Sequence, residues 1–109
     1  MAPGSSGYVV KSIEPVAIGK DVETRVFTLA LGEKIPWHFH SVTTDWFFVL
    51  EGTLSIETRA PANHQTLRIG ARYQVPPKTA HLVVNRSDAD TRFLLVQGVG
   101  TKDFLKVGS

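Results

Sequence analysis

Histidine is the residue type in this sequence best suited to chemistry, and two histidines stand out by their spacing. His38 and His40 are separated by one residue in a stretch that predicts a strand, residues 35–40. Because side chains alternate between the faces of a strand, both imidazoles should lie on one face and reach a single ion. Asp45 follows five residues after His40. That distance suits a short turn and a second strand that returns a carboxylate to the same place.

A third histidine, His81, opens another predicted strand, residues 81–85. Three imidazoles and one carboxylate form a donor set that suits iron, manganese, nickel, copper or zinc. Taken alone, a pair of histidines on a strand is more often part of an ordinary surface or core. The positions of Asp45 and His81 favour the chemical interpretation. We take the four residues as a candidate site for a divalent transition metal.

Short strands, rather than helices, must position these residues. No helical apolar period persists for three turns, whereas strand-like segments recur at intervals of roughly eight to twelve residues with glycine, proline or aspartate between them. The predicted strands are residues 8–13, 24–31, 35–40, 45–51, 53–59, 66–69, 73–75, 81–85 and 91–97, with a short terminal strand or arm over residues 102–107. This pattern is typical of an all-β sandwich or barrel.

Two segments outside the candidate site carry more detailed expectations. Residues 8–13 are predicted to form an edge or exchanged strand, and Pro15 limits how far that strand can run. Residues 60–65 read as a loop because they combine proline, asparagine and small residues. His64 lies in this loop and is expected to be exposed to solvent. Asn85 is expected to fix a turn rather than to contact a substrate.

The segment 45–51 is the most apolar of the predicted strands, and we expect it to be covered on both faces. Alternation places one set of side chains on the face of the candidate site: Asp45, Phe47 and Val49. Several aromatic residues near the site could line a pocket or simply pack: Trp37, Phe39, Trp46 and Phe48. Packing is the favoured interpretation, because aromatic residues that alternate with polar ones usually serve the core.

Length and composition limit the classes of protein to which this chain can belong. The 109 residues suffice for one domain, and 42% apolar with 20% charged residues are ordinary for a folded globular protein. The formal net charge is only +2, and the basic residues are scattered, which argues against nucleic-acid binding. No apolar run approaches the roughly 20 residues needed to span a bilayer. We therefore expect neither nucleic acid nor a membrane as a partner.

The absence of cysteine excludes both a disulfide framework and a thiolate site. The fold then depends on its hydrophobic core and on any bound metal or partner chain. We expect a cytoplasmic protein in which residues 1–7 form a flexible tail and residues 8–109 form a single domain.

Two segments of the chain resemble the two sequence motifs of the cupin family. Residues 32–52 match the first motif: a glycine, five residues, His-x-His, four residues, an acidic residue, six residues and a glycine. Residues 70–85 match the second: a glycine, five residues, a proline, four residues, a histidine, three residues and an asparagine. A lone His-x-His would be weak support, whereas two correctly spaced motifs separated by residues 53–69 are specific. The resemblance covers about the middle half of the chain.

The resemblance implies a double-stranded β-helix, also called a jelly roll or cupin-like barrel. It also implies four metal ligands: His38, His40, Asp45 and His81. The acidic ligand of the family is usually glutamate, and Asp45 is one methylene shorter, so hydrogen bonding to a ligand imidazole is its alternative role. A glycine of the second motif is replaced by Lys78, so we expect a different turn there, without a left-handed backbone.

Because small cupins resemble both oxygenases and redox-neutral enzymes, the implied function is a metal-dependent enzyme acting on a small organic molecule. It would be a dioxygenase, or an isomerase, lyase or dehydratase. The alternative is a non-catalytic module that binds a metal or small ligand as a sensor or storage protein, since no acid or base besides Tyr73 is evident. Tyr73 is a candidate acid or base. The predicted substrate pocket is mostly apolar and contains Phe47, Val49, Phe93, Leu95 and Gln97.

The resemblance also implies a partner chain. Cupins commonly form dimers by exchanging terminal strands, and residues 8–13 together with residues 104–107 offer suitable β-rich segments. We therefore expect a homodimer whose other partner is a small-molecule substrate or ligand.

Overall fold

The structure is a computed structural model that describes residues 8–108. Residues 1–7, for which the sequence predicts a flexible tail, and residue 109 lie outside the described part. Ten strands follow one another: β1 (Ser12–Ile18), β2 (Val22–Leu29), β3 (Lys34–Phe39), β4 (Thr44–Glu51), β5 (Thr53–Thr58), β6 (Asn63–Arg68), β7 (Arg72–Val75), β8 (His81–Val84), β9 (Thr91–Gly98) and β10 (Leu105–Lys106). The all-β fold class predicted from the sequence is confirmed. Across residues 8–108 there is no helix with the length and apolar character that crossing a membrane requires.

The strands form two five-stranded antiparallel sheets. The first sheet has the order β1-β2-β9-β4-β7, and the second has the order β10-β3-β8-β5-β6. Buried side chains of both sheets belong to one core, so the sheets pack face to face as a double-stranded β-helix. The core contains Val10, Phe27, Leu29, Ile35, Phe47, Val49, Leu54, Ile56, Leu67, Val75, Val83, Phe93 and Leu95.

Strand β4 shows how alternation divides side chains between the two faces of a sheet. The inward side chains are fully or almost fully buried and belong to Asp45, Phe47 and Val49. The outer face is only half-buried, and Leu50 is exposed, so the expected cover on both faces is wrong for the described chain. The apolar outer residues instead form cross-strand pairs with β9: Trp46 lies opposite Val96, and Phe48 lies opposite Leu94.

The first strand differs from its prediction. Strand β1 spans Ser12–Ile18 rather than residues 8–13, and it runs through Pro15. It forms the edge of its sheet, as expected, and proline is tolerated there because an edge strand need not donate a hydrogen bond from every residue. The ladder with β2 becomes irregular between Pro15 and Ala17. Tyr8 therefore precedes the strand instead of belonging to it.

The predicted loop over residues 60–65 is shorter in the structure. Strands β5 and β6 pair as a hairpin up to Thr58 and Asn63, so half of the loop is strand. Ala60 takes a left-handed backbone conformation with φ of 53°, which lets the chain reverse within a few residues. His64 lies in β6, and its side chain is exposed as predicted.

Asn85 ties together the turn that follows β8. Its side chain is fully buried, and its Nδ2 donates to the carbonyl oxygens of Leu29 at 2.9 Å and Ala89 at 2.7 Å. Its Oδ1 accepts from the backbone N–H of Ser87 at 2.9 Å and from the Ser87 hydroxyl at 2.6 Å. The side chain thus satisfies backbone groups at one end of the jelly roll and does not face the metal-ligand candidates.

We expect Asn85→Ala to destabilise the fold by about 2–4 kcal/mol, because each buried polar group left without a partner costs about 1–3 kcal/mol. Thermal unfolding should show a melting temperature lower by at least about 8 °C. The matched control is Asn63→Ala at the exposed first position of β6, where about 0.5 kcal/mol or less is expected. Equal melting temperatures for the two variants would contradict the structural role of Asn85.

Candidate metal centre

Three strands from both sheets bring the four candidate ligands together. His38 in β3 lies directly opposite His81 in β8, and His40 follows at the end of β3. Asp45 comes from β4 in the other sheet, so the cluster lies between the sheets. One ligand atom from each residue lies within 4.8 Å of the others, and each residue is at most 3% exposed.

Backbone carbonyl groups fix the orientation of all three imidazoles. The Nδ1 atom of His38 lies 2.7 Å from the carbonyl oxygen of Pro36, and that of His81 lies 2.8 Å from Thr79 O. The Nδ1 atom of His40 lies 2.5 Å from the carbonyl oxygen of Asp103. Because a carbonyl can only accept, each Nδ1 must carry the proton. In the neutral rings this leaves every Nε2 with a free lone pair, which is the arrangement common for metal-binding histidines.

The contacts around Asp45 call for a cation. Its Oδ2 lies 3.1 Å from Nε2 of His40 and 3.0 Å from Nε2 of His81. If both rings are neutral and protonated at Nδ1, these contacts bring lone pairs against lone pairs, which is unfavourable in a buried site. A proton or a metal ion shared by the three groups removes the conflict. The donor chemistry and orientation of this set therefore fit a divalent transition metal.

The ionisation states of the cluster also suit a metal. Burial, reinforced by the charge of nearby His81, lowers the pKa of His38 to about 3, so this imidazole is neutral at pH 7. Burial alone would raise the pKa of Asp45, but its hydrogen bonds with His40 and His81 hold it well below its usual range. Burial likewise opposes ionisation of His40, yet the hydrogen bond with Asp45 raises its pKa overall. Asp45 is thus an ionised carboxylate that attracts positive charge.

Gln97 orients Asp45 from the neighbouring strand. Its Nε2 donates to Oδ1 of Asp45 at 3.1 Å, on the oxygen that does not contact the histidines. Gln97 is 6% exposed and pairs with Asp45 across β9 and β4. Both carboxylate oxygens are therefore engaged, one by the amide and one by the imidazoles. This holds the carboxylate in a single orientation toward the cluster.

A small cavity of about 80 Å³ adjoins the cluster. A water molecule needs roughly 10–15 Å³ on the same measure, so the space suits a ligand of only several heavy atoms. Its wall is formed by Tyr8, Ile13, Arg25, Phe27, Ile35, His38, His40, Asp45, Phe47, Val83, Leu95, Gln97, Lys102 and Phe104.

The predicted mostly apolar character of the pocket is wrong, because seven of the fourteen wall residues are polar or charged. The predicted pocket residues lie in different positions. Phe47, Leu95 and Gln97 line the cavity. Val49 and Phe93 share the same inner face but belong to the core and not to the cavity wall, because they pair with each other four residues away from the pair of Asp45 and Gln97.

Tyr73, the predicted acid or base, is not part of the cavity wall. It lies on the edge strand β7 opposite Phe47, where it packs against the core. Its pairing with Phe47 places it on the inner face of the sheet, but it does not reach the cavity beside the metal-ligand candidates. No proton-transfer role follows from this position.

Two further expectations concern residues around the site. Lys78 takes a left-handed backbone conformation with φ of 61°, so the expected change of turn is wrong. Its backbone N–H donates to the carbonyl oxygen of His40 at 2.7 Å, and this tie holds the turn in the conformation that glycine would favour. None of the four aromatic residues lines the described cavity, but none belongs to the core either. They are half-buried on the outer faces of the sheets, where Trp37 lies 3.9 Å beneath the guanidinium of Arg59.

Sequence reasoning missed Tyr8, Arg25, Lys102 and Phe104 in the cavity wall. All four lie outside the two motifs, so spacing gave no signal for them. A signal does exist for Arg25, because alternation places it on the inner face of β2 with Phe27 and Leu29, where a charge is unexpected.

The C-terminal arm, residues 99–108, brings its side chains to the cavity through β10, which pairs with β3. Phe104 stacks on the ring of His38 with centroids 4.2 Å apart, and Tyr8 stacks on Phe104 at 5.7 Å. The carboxylate of Asp103 accepts from the backbone N–H of Ser41 at 2.8 Å and from the Ser41 hydroxyl. The predicted terminal strand or arm is thus a wall of the site.

We expect Asp103→Ala to weaken metal binding by about tenfold while the fold survives. The substitution releases the arm from Ser41, and the carbonyl group that orients His40 loses its fixed position. A competition titration with a chromophoric chelator measures the change in affinity. Asp88→Ala, at an exposed turn, is the control. Equal metal affinity in the two variants would show that the arm does not position His40.

Tyr8 should remain protonated far above neutral pH. Burial, which outweighs the opposing charge of Arg25, raises the pKa of Tyr8 to about 12, above the usual value near 10. Its contribution to stability is therefore complete below about pH 10 and is lost as the pH rises through about 12. The difference in tyrosinate absorbance between the wild type and Tyr8→Phe, measured after rapid pH jumps, should have its midpoint near pH 12. A midpoint near 10 would contradict this burial.

Comparison with known proteins bears on both the fold and the site. A curated fungal protein, the oxidoreductase macE of Penicillium terrestre, is 40% identical over 55 residues, which are 50% of this chain and 21% of that protein. The chain thus spans about a fifth of the length of this relative.

Solved structures share the jelly roll at low identity. An uncharacterised conserved protein with a double-stranded β-helix domain from Klebsiella pneumoniae has a TM-score of 0.76 and 21% identity, over 99% of this chain and 91% of that one. A structure of oxalate oxidase has a TM-score of 0.72 and 17% identity, over 80% of this chain and 46% of that one.

The cupin domain family model matches residues 25–97, which is more than half of the chain. The matched region contains both motifs and all four candidate ligands. The resemblance noted in the sequence is therefore confirmed, and the chain belongs to the cupin family.

Proposed function

We propose that this cupin is a metal-dependent oxidoreductase, specifically a dioxygenase, that acts on a small organic molecule. The observation that carries the proposal is the buried set of three imidazoles and one carboxylate beside a small cavity of about 80 Å³. A transition metal bound there would supply open coordination positions for substrate and dioxygen.

The chain's own residues would bind the metal, orient its ligands and surround the substrate. His38, His40 and His81 would bind the metal through Nε2, since Nδ1 of each ring faces a carbonyl oxygen. Asp45 would complete the set, with Gln97 keeping its carboxylate in place. The apolar part of the wall would limit the access of water to the space in which the substrate would lie.

The composition of the wall favours oxidative chemistry over isomerisation, elimination or dehydration. Those redox-neutral reactions move protons and need a positioned base. Among the described wall residues, the only imidazoles and carboxylates belong to three of the candidate ligands, His38, His40 and Asp45. Tyr8 stays protonated because its pKa is raised to about 12, and Lys102 is ion-paired with Glu23 at 3.3 Å. Neither group is suited to remove a proton from a substrate carbon.

The oxidoreductase macE lends further support to this reaction class. The likeness covers half of this chain and about a fifth of that protein, so it bears on a single domain. The solved structure named oxalate oxidase shares the jelly roll, and its name indicates that a protein of this fold can carry out oxidative chemistry.

Oxygen uptake tests the proposed function. Metal-free protein is loaded with iron(II) under anaerobic conditions, and oxygen consumption is followed with candidate ketones, phenols and sugar acids. Substrate-dependent uptake is expected with wild type and with His64→Ala, whose exposed histidine lies outside the site, but not with His81→Ala. Uptake that never exceeds that of His81→Ala with any substrate would contradict the oxygenase.

A non-catalytic binding module is the second candidate, because the same lack of a free base in the described wall suits simple capture of a ligand. On this reading the metal-loaded protein would bind a small molecule and return it unchanged. Equilibrium binding without oxygen uptake or conversion, followed by mass spectrometry, would favour the sensor or storage role.

We also propose that the chain forms a homodimer. Strand β1 is an edge strand, and Val16 and Ile18 on it are more than half exposed, which leaves apolar surface available to a second copy. Sedimentation equilibrium at micromolar concentration should give twice the chain mass. A monomer mass would overturn this proposal.

A further inference from the structure

The wall of the cavity carries an unexpected pair of positive charges. Arg25 projects from the inner face of β2, and Lys102 reaches the same cavity from the C-terminal arm. Their side chains are 24% and 31% exposed, so both are largely withdrawn from water. Inner-face positions of a jelly roll normally hold apolar residues, as Phe27 and Leu29 do on the same strand.

A single carboxylate serves both cations. Oε1 of Glu23 lies 2.5 Å from Nη1 of Arg25 and 3.3 Å from Nζ of Lys102, so two positive charges share one negative charge. Glu23 itself does not line the cavity. Within residues 8–108, Arg25 donates only through Nη1, which leaves the rest of its guanidinium fork without an acceptor. Partly buried charges normally find full pairing, whereas here two cations have direct contact with a single carboxylate.

The polar groups of the wall include more hydrogen-bond donors than free acceptors. The donors include the Arg25 fork, the Lys102 ammonium group and the hydroxyl of Tyr8. The one carboxylate of the described wall, Asp45, already uses both oxygens on His40, His81 and Gln97. A ligand that completes this cavity must therefore bring acceptor atoms and negative charge.

We propose that Arg25, Lys102 and Tyr8 form a subsite for the carboxylate group of a small organic acid. A carboxylate presents two acceptor oxygens in a plane, and the arginine fork matches that geometry with two parallel hydrogen bonds. The cavity of about 80 Å³ has room for a short acid but not for a large one. The inference rests on the proposed function in one respect: the rest of the acid would then lie beside the metal.

A purely structural role for the two cations is the competing explanation. Lys102 and Arg25 could serve only to hold the C-terminal arm against β2 through Glu23. In that case their replacement would loosen the arm without changing the preference of the cavity for charged over neutral ligands. The two explanations therefore differ in a binding measurement rather than in stability.

The test uses pyruvate and its neutral isostere pyruvamide as probes, with calorimetry on zinc-loaded and on metal-free protein. Pyruvate should bind the wild type more tightly than pyruvamide, and Arg25→Gln should weaken pyruvate binding about 10- to 100-fold with little effect on pyruvamide. Arg86→Gln, which breaks an exposed ion pair with Glu57 outside the cavity, is the control and should match wild type. Lys102→Gln, on the arm, gives a second variant should Arg25→Gln fail to fold.

The outcomes separate the subsite from the metal centre. Equal binding of pyruvate and pyruvamide, no detectable pyruvate binding, or unchanged pyruvate binding in both cavity variants would overturn the subsite, even where zinc binds normally. If zinc fails to bind but pyruvate still binds metal-free protein in an Arg25-dependent manner, the proposed function fails while the subsite stands. Loss of pyruvate preference in Arg25→Gln with zinc affinity unchanged is the result that we expect.

Discussion

Replacing His81 with alanine is expected to lower the affinity for zinc or iron(II) by at least about 100-fold. His81 is 1% exposed, its Nδ1 is fixed by Thr79, and its Nε2 points at the carboxylate of Asp45. The substitution removes one of three imidazoles from a site that offers no replacement ligand among the described wall residues. Even partners that only support a ligand typically contribute 10- to 100-fold to metal affinity, so loss of a ligand should cost more.

Thermal shift provides the measurement for this variant. Zinc at about 100 times its wild-type dissociation constant should stabilise the wild type by about 2.7 kcal/mol, whereas the same zinc concentration should stabilise His81→Ala by about 0.4 kcal/mol or less. His64→Ala removes an exposed histidine and should keep the wild-type shift. A full zinc shift in His81→Ala would show that this histidine is not a ligand.

Asp45→Asn is expected to weaken metal binding by about 100-fold while the shape of the site is kept. The substitution removes the only negative charge among the four candidate ligands, and it places an amide where His40 and His81 now meet a carboxylate. Because Asp45 is 1% exposed, water cannot replace that charge, and its loss acts at short range. The affinity is measured by competition with a chelator of known strength.

Asp45→Glu is the matched control, since glutamate keeps the charge and is the acid usual in the family. The extra methylene must fit a closely packed position and should cost about 1–3 kcal/mol of stability, yet metal binding should exceed that of Asp45→Asn. Wild-type affinity in Asp45→Asn would mean that the carboxylate neither binds the metal nor orients its ligands.

The site could be predicted largely because its ligands obey local rules. His38 and His40 share a face by strand alternation, and the positions of Asp45 and His81 within two motifs bring them to the same place. The inner face of β4 followed from the same alternation. These features depend on short stretches of sequence and on strand pairing, which one sequence can reveal.

The cavity could not be predicted to the same extent, because its wall depends on long-range placement. Tyr8 and Phe104 meet in a stack although they come from opposite ends of the chain. Tyr73 lies on the correct face but on the edge strand, beyond the reach of the cavity. Lys78 adopts the conformation of the missing glycine because a backbone hydrogen bond to His40 holds it there. Such contacts are set by the packing of the whole jelly roll.

A crystal structure of zinc-soaked protein, with anomalous data collected on both sides of the zinc edge, tests the metal centre most directly. We expect one strong anomalous peak between the sheets, at about 2.0–2.1 Å from Nε2 of His38, His40 and His81. Asp45 should lie on the same ion or hydrogen-bond to one of its ligands. The absence of a peak at this position, or a peak bound elsewhere on the chain, would contradict the account.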